Sequence, residues 1–425
     1  MRILHVIAEI DPERGGVSQA VRTMISGLDK EGVSNEVVSL DPPDAPFLAK
    51  DPFRVHALGP RKGQWGYNPG LVSWLVENAS QYTVILLHGL WLYPGYAAYK
   101  AIRTCKRKQP NGTHPKFFVM PHGMLDPWFQ KASGRKTKAL RNWVYWKLIE
   151  SKVVAEADGL LFTCEAELQL AREPFQPYQP KSEQVVGLGV DEPPVYIPAM
   201  REAFLERCPE LGNTPYFLFL SRIHEKKGVD LLIRAYSKLV QKYSVAESDA
   251  YPKKGSEVSV LSRRMNMPKL VIAGPGLDTP YGQEMQQVAS RLQDGATNIY
   301  FPGMLTDNAK WGAFYGCEAF VLPSHQENFG IAVVEALACE KPVLISDQVN
   351  IWQEIETAGA GLVAADSLEG TEQMLNDWMN LSDDEKQTIR QQTLKLYRQY
   401  YAVEPAAKNM IDAITSVPAR TKPLG

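Results

Sequence analysis

Short apolar runs alternate along the chain with longer stretches in which apolar positions recur every three or four residues. The short runs predict strands and the longer ones predict helices. In the first half the predicted strands cover 3–8, 36–39, 84–88, 116–120 and 159–163, with a weaker one at 185–188. Helices at 18–28 and 71–78 lie among them. In the second half strands are predicted at 217–220, 269–273, 299–301, 319–322 and 342–345. Helices at 229–243, 281–292, 330–339 and 368–379 separate or follow them, and a last helical pattern covers about 403–415. Strand-helix alternation predicts parallel sheets covered on both faces. Two such series predict an α/β protein of two doubly wound, Rossmann-like domains with a cleft between them. The proline-rich break Pro193-Pro194-Val195-Tyr196-Ile197-Pro198 sets the expected boundary. The expected domains are therefore 1–195 and 196–402, followed by a helix and tail over 403–425. Residues 244–268 are polar and without a clear period, which predicts a loop.

The length of 425 residues exceeds what one core holds and suits two or three domains. A net charge of −2 gives no case for nucleic acid as a partner. The distribution is uneven, however: residues 101–150 carry 11 Lys and Arg against two acids. Five cysteines without a C-x-x-C pair argue for a reducing compartment and against a zinc site. The sequon Asn111-Gly112-Thr113 is then accidental. Met1-Arg2 leads directly into a strand too short for a signal segment, and no apolar run approaches membrane-spanning length. The expected location is cytoplasmic, with the cytoplasmic face of a membrane as a variant.

Candidate chemistry gathers where predicted strands end. Pro323-Ser324-His325-Gln326-Glu327-Asn328-Phe329-Gly330-Ile331 follows a buried strand and opens a helix. Unsatisfied N–H groups and the helix dipole make such a turn suited to phosphate or sugar hydroxyls. Glu327 lies in the turn, and Glu335 follows eight residues later, about two helical turns down. Arg222 and Lys227, in Ser221-Arg222-Ile223-His224-Glu225-Lys226-Lys227-Gly228, stand past another strand's carboxyl end. A guanidinium and an ammonium at that spacing can both reach one diphosphate, although surface loops also carry such pairs. Gly15-Gly16 follows the first strand, lets backbone approach a ligand closely, and precedes Ser18, a good N-cap residue. Ordinary turns use Gly-Gly as well.

His122, in Pro121-His122-Gly123-Met124-Leu125, and His88, in Leu87-His88-Gly89-Leu90-Trp91, also sit at strand ends. His122 reads either as a structural hydrogen-bonding group or as a polar group near a reacting centre. His88, with Trp91 and Tyr93, forms either an acceptor-facing surface or a packed aromatic loop. Lys131, Arg135, Lys136, Lys138, Arg141 and Lys147 are interleaved with Trp128, Phe129, Trp143, Tyr145 and Trp146. That mixture over 128–147 suits an anionic membrane surface or a lipid-diphosphate acceptor, or a solvated helix with a core-facing stripe. No Asp-x-Asp, P-loop, zinc spacing or Ser/His/Asp set occurs.

The block E-N-F-G-I-A-V-V-E, continued by A-L-A-C-E-K-P-V-L, resembles the acid-x7-acid signature of family 4 glycosyltransferases. Those are retaining enzymes of the GT-B fold. The likeness departs at Glu340, where members usually carry Gly. The Arg222-x4-Lys227-Gly228 turn is similar to the family's pair that neutralises the leaving diphosphate. The resemblance implies a further set of roles. Gly15 and Gly16 would face the donor diphosphate and His122 the donor sugar. Glu327, Asn328, Phe329, Gly330 and Ile331 would hold sugar and phosphate, and Glu335 the ribose. Gly274-Pro275-Gly276 and Gly303-Met304 would edge the base, and the C-terminal helix would cross back to the first domain.

The implied reaction moves a hexose-type sugar from a nucleotide-diphosphate sugar to an acceptor hydroxyl. It proceeds with retention and without a metal or other cofactor. Pro121-His122-Gly123-Met124-Leu125-Asp126-Pro127-Trp128 is similar to members that build surface polysaccharide and lipopolysaccharide, so a glycan or lipid-linked acceptor is expected. His88 and Trp91 would face it. Three other readings share the donor contacts: a nucleotide-sugar epimerase, a phosphorylase, and a non-catalytic nucleotide-sugar-binding protein.

Overall fold

The computed structural model describes residues 1–12, 15–108, 112, 114–131, 136–245, 267–292 and 298–416. They form two compact units, Met1–Asp191 together with the segment from Tyr400, and Glu192–Gln399. Most of the loop expected over 244–268 lies outside the described residues, as do Arg135 and most of the sequon.

The first unit is built on a seven-stranded sheet ordered β3-β2-β1-β4-β5-β6-β7. Its strands are β1 (Arg2–Val6), β2 (Ser34–Ser39), β3 (Arg54–Ala57), β4 (Val84–His88), β5 (Lys116–Met120), β6 (Gly159–Phe162) and β7 (Glu183–Val185). Every neighbouring pair is parallel. Alternate residues feed opposite faces. Leu4, Val6, Ile85, Leu87, Phe117, Val119, Leu160 and Phe162 pack on one side against helix residues such as Leu75, Ala98 and Val153. Val37 and Ile7 pack on the other against Val21 and Ile25 of the helix Gly16–Lys30. Burying each such side chain contributes about 1.5–3 kcal/mol. The helix Val403–Ser416 packs on Gly16–Lys30 in this same unit. The approach is close: a Cβ at Gly27 would lie 2.6 Å from Val403 Cγ1.

The second unit has a six-stranded parallel sheet ordered β10-β9-β8-β11-β12-β13. Its strands are β8 (Tyr216–Leu220), β9 (Lys269–Ala273), β10 (Ile299–Gly303), β11 (Ala319–Leu322), β12 (Val343–Ser346) and β13 (Gly361–Ala364). The central strands β8 and β11 are almost wholly buried, as a sheet covered on both faces requires.

Three expectations need correction. Strands β3 and β13 were not predicted, because Arg-Val-His-Ala and Gly-Leu-Val-Ala are short sheet-edge segments that are only partly buried. Strand β7 is Glu183–Val185 and not 185–188, since this polar edge strand lacks an apolar run. Ser18 is not an N-cap: the helix already begins at Gly16, and the Ser18 hydroxyl donates back to the Gly15 carbonyl at 2.9 Å.

Candidate functional site

In the second unit the chain reverses its direction of travel across the sheet between β8 and β11. The crevice outside the carboxyl ends at such a reversal is where open α/β sheets bind ligands. The two motif turns leave these two strands. Ser221 to Gly228 follows β8, and Pro323 to Gly330 follows β11. They are tied together, because the Lys226 carbonyl accepts from both the Ser324 hydroxyl and the His325 N–H, each at 2.9 Å. Gly228 sits at φ 65°, and a Cβ there would lie 1.9 Å from the Pro323 carbonyl oxygen. Only glycine fits that contact.

Lys227 is buried, and its ammonium donates to Glu327 Oε2. Glu327 is fixed from the backbone as well: its N–H donates to the Gln348 carbonyl and its carbonyl accepts from the Asn350 N–H, both at 2.9 Å. Arg222 is exposed on the same turn as Lys227. Gly330, at φ 78°, stands before the helix Ile331–Ala338. A Cβ there would come within 3.0 Å of Val333 and 3.3 Å of Glu327. Phe329 is buried, and Asn328 lies within reach of the Asn350 amide at 3.4 Å. Glu335 accepts from Lys310 at 2.6 Å. Burial pushes its carboxyl above the ordinary range, and Lys310 opposes that rise. Gly303 ends β10 and accepts from the Gly274 N–H at 2.8 Å, which sets the Gly274 turn beside the Gly303 one. Met304 next to it is 60% exposed.

In the first unit the reversal falls between β1 and β4. A cavity of about 170 Å³ opens there, lined among others by Glu9, Gly16, Ser18, His88 and Gly95. Gly15, at φ 123°, makes the turn into the helix. His122 follows β5 and takes a left-handed conformation, φ 52°, as does Trp91 after β4, φ 72°. Such backbone is costly for side-chain-bearing residues and persists where surroundings enforce it. Two buried glutamate side chains do the enforcing. Glu150 Oε1 accepts from the Trp91 N–H at 2.6 Å. Glu167 accepts from the Gly123 N–H at 2.5 Å and from the Thr163 N–H and hydroxyl at 2.7 and 2.6 Å.

His122 is also held through its ring. Its Nε2 lies 3.0 Å from His88 Nδ1, and His88 Nε2 lies 2.9 Å from His5 Nδ1. His88 thus has both nitrogens engaged, although it borders the cavity. Burial lowers His122 and His5 to about 4 and holds His88 well below the ordinary imidazole value, so all three are neutral near pH 7. Trp91 packs against Phe175 and Trp146 and donates its indole N–H to the Met124 carbonyl at 3.1 Å. Trp146 is wholly buried, whereas Leu140, Trp143, Val144 and Leu148 of the same helical stretch are exposed. Sequence reasoning passed over Lys310, His5, Asn35, Glu150 and Glu167. The one available signal was an acid standing inside a helical apolar pattern, as at Glu150 and Glu167.

Two parallel, doubly wound sheets of seven and six strands define a GT-B protein. Residues 15–189 match the glycosyl transferase 4-like domain and 201–394 match glycosyl transferases group 1, and the chain belongs to these glycosyltransferases. It is 28% identical over 238 residues to D-inositol 3-phosphate glycosyltransferase of Gordonia bronchialis, covering 54% of this chain and 45% of that protein. It is 24% identical over 208 residues to O-antigen chain mannosyltransferase C of Escherichia coli, covering 48% of this chain and 46% of that protein. The chain spans less than half the length of these curated relatives. Among solved structures, Anabaena Alr3699/HepE in complex with UDP superimposes with a TM-score of 0.72 at 16% identity, covering 98% of this chain and 100% of that one.

Proposed function

We propose that the chain is a retaining glycosyltransferase that moves a hexose-type sugar from a nucleotide-diphosphate sugar to an acceptor hydroxyl. The observation that carries this reading is the pairing of Lys227 with Glu327 at the β8/β11 reversal. When the diphosphate leaves the anomeric carbon its negative charge grows. Fixed positive charge at that position lowers the barrier most. Lys227 and Arg222 supply it, with the Gly15 and Gly16 amides, and no metal is required. Glu327 and the amides around Phe329 to Ile331 hold sugar hydroxyls. Glu335 accepts from the ribose hydroxyls, and Gly303 and Met304 border the base. His122 lies against the sugar. The UDP bound by the Anabaena protein supports a nucleotide donor. The acceptor is a lipid-linked or surface-polysaccharide precursor, reached at an anionic membrane through the stretch around Trp143. The O-antigen mannosyltransferase likeness supports that choice.

Thermal stabilisation by UDP, GDP, ADP and TDP in EDTA tests the donor site, since a ligand of the folded state raises the melting temperature. One nucleotide should stabilise wild type and fail to stabilise Lys227→Ala. No shift with any of the four would overturn the donor assignment. Incubation with the matching nucleotide sugar then separates transfer from epimerisation, phosphate-dependent cleavage and mere binding.

A further inference from the structure

We infer that Asn35, His5 and His88 form a relay that fixes the tautomer of His122, so that His122 presents an unprotonated Nδ1 as a hydrogen-bond acceptor. Asn35 places its Nδ2 2.7 Å from Asp29 Oδ1 and 2.9 Å from the Val33 carbonyl. Both are acceptors, so that atom must be the amide nitrogen with its two protons. A reversed amide would set an oxygen against a carboxylate and a carbonyl. The other amide atom is therefore the oxygen, and it faces His5 Nε2 at 3.0 Å.

An amide oxygen only accepts, so His5 Nε2 carries the proton. A neutral imidazole holds one proton, which leaves His5 Nδ1 as an acceptor. Its partner His88 Nε2 must then donate, at 2.9 Å. His88 Nδ1 is left as an acceptor and takes the proton of His122 Nε2 at 3.0 Å. Each step reverses nothing, so one side-chain amide in β2 decides the protonation of a ring after β5. The rings of His5 and His88 stack 13° from parallel and those of His88 and His122 29°, which keeps the nitrogens facing. Among the described residues none hydrogen-bonds to His122 Nδ1.

The consequence is a specificity. A lone pair on a neutral ring accepts from a hydroxyl or amide N–H of a ligand. It gives nothing to a phosphate oxygen, and once a ligand covers it a methyl ether at the same place is disfavoured, because an acceptor desolvated without a partner is costly. That the ligand is the transferred sugar rests on the proposed function; the tautomer does not.

The test is a long-range ¹H–¹⁵N spectrum of the full chain labelled at histidine, with the His122 signals identified by their loss in His122→Gln. In wild type, His122 Nδ1 should resonate as an unprotonated nitrogen and Nε2 as an N–H. His88→Gln should keep that pattern, because a carboxamide donates to His5 and accepts from His122 in the same sense. His88→Leu fills the space without direction, and His122 should then populate both tautomers. With a competent nucleotide-sugar donor, kcat should fall at least tenfold further in the Leu than in the Gln variant. A merely structural His88 would lose stability in the Leu variant without a change in the His122 tautomer. A protonated Nδ1 in wild type, or identical His122 spectra in the two variants, would overturn the relay. Should the Leu variant not fold, the wild-type spectrum still decides the tautomer. Wild type without donor turnover would instead sink the proposed function and leave the relay standing.

Discussion

Lys227 and Glu327, 100 residues apart in sequence, meet as an ion pair at the carboxyl ends of adjacent strands. The pair is partly screened from water, with side chains 10% and 20% exposed. An entering diphosphate would compete with Glu327 for the same ammonium. Lys227→Ala should therefore weaken nucleoside-diphosphate binding in two ways. It removes a charged hydrogen bond of about 1.5–3 kcal/mol, and it leaves the Glu327 carboxylate facing the phosphates. Titration calorimetry should show a loss of roughly tenfold to a hundredfold or more. Adding Glu327→Gln to Lys227→Ala should restore part of that affinity. A double variant that binds more weakly than the single one would refute the competition.

Gly228→Ala probes the geometry that brings these groups together. The added Cβ would meet the Pro323 carbonyl oxygen at 1.9 Å, from a backbone at φ 65°. One turn must retreat from the other, and the Lys226 carbonyl would lose its two donors from Ser324 and His325. A destabilisation of about 2–4 kcal/mol is expected, together with loss of nucleotide-induced stabilisation. Gly359→Ala is the control. Gly359 has nearly the same backbone, φ 64°, but a Cβ there meets nothing within 4 Å. It should lower the melting temperature slightly and leave nucleotide binding intact. Equal effects of the two substitutions would show that backbone strain alone is at issue.

The parts of this molecule legible in the sequence are those encoded locally. Strand β4 reads as an unbroken apolar run because both of its faces are covered, and the turns after β8 and β11 announce themselves by Gly and charge at strand ends. What was not legible depends on partners far along the chain. His5 sits in β1 as one polar residue among apolar ones, and only the sheet order brings it beside His88, 83 residues on. Lys310 gains its meaning from Glu335, 25 residues later and on another helix. Ser18 shows the limit of residue-type rules: its hydroxyl is a good capping group, yet a turn made by Gly15 lets the helix start earlier.

Glu150 should impose a pH dependence on stability. Burial raises its carboxyl to about 8, against the pull of the Trp91 N–H, and its Oε2 has no hydrogen-bond partner among the described residues. The ordinary value is 4.5. Between those limits the folded chain holds a proton that the unfolded chain has released. Stability therefore falls as pH rises through that window, is unaffected by this group below it, and keeps a constant penalty above it. Glu150→Gln preserves the acceptor for Trp91 and cannot ionise. Its melting temperature relative to wild type should rise by several degrees between pH 5 and pH 8 and then level off. A difference that stays constant across that range would mean Glu150 does not titrate there.

The exposed stripe of the helical stretch over 136–150 allows a test of the membrane proposal that is independent of catalysis. Leu140, Trp143, Val144 and Leu148 recur at steps of three or four residues, so they share one face, and they are 65%, 50%, 43% and 61% exposed. Lys138, Arg141 and Lys147 are exposed beside them, with Lys147 Nζ 5.6 Å from the Trp143 ring centre. The opposite face is anchored by Trp146, so the stripe cannot turn inward without losing the core. An apolar stripe flanked by cations suits the interface of an anionic bilayer. Moving one such leucine from water to an apolar phase is worth about 1.5–3 kcal/mol. Leu140→Glu with Leu148→Glu should thus lower partitioning onto phosphatidylglycerol-containing vesicles by about a hundredfold or more. Binding of wild type should weaken with salt, because the lysines and arginine contribute through screened charge. Wild type that stays in the supernatant at low salt, or a double variant that sediments equally, would remove the membrane from the proposed function and leave donor binding untouched.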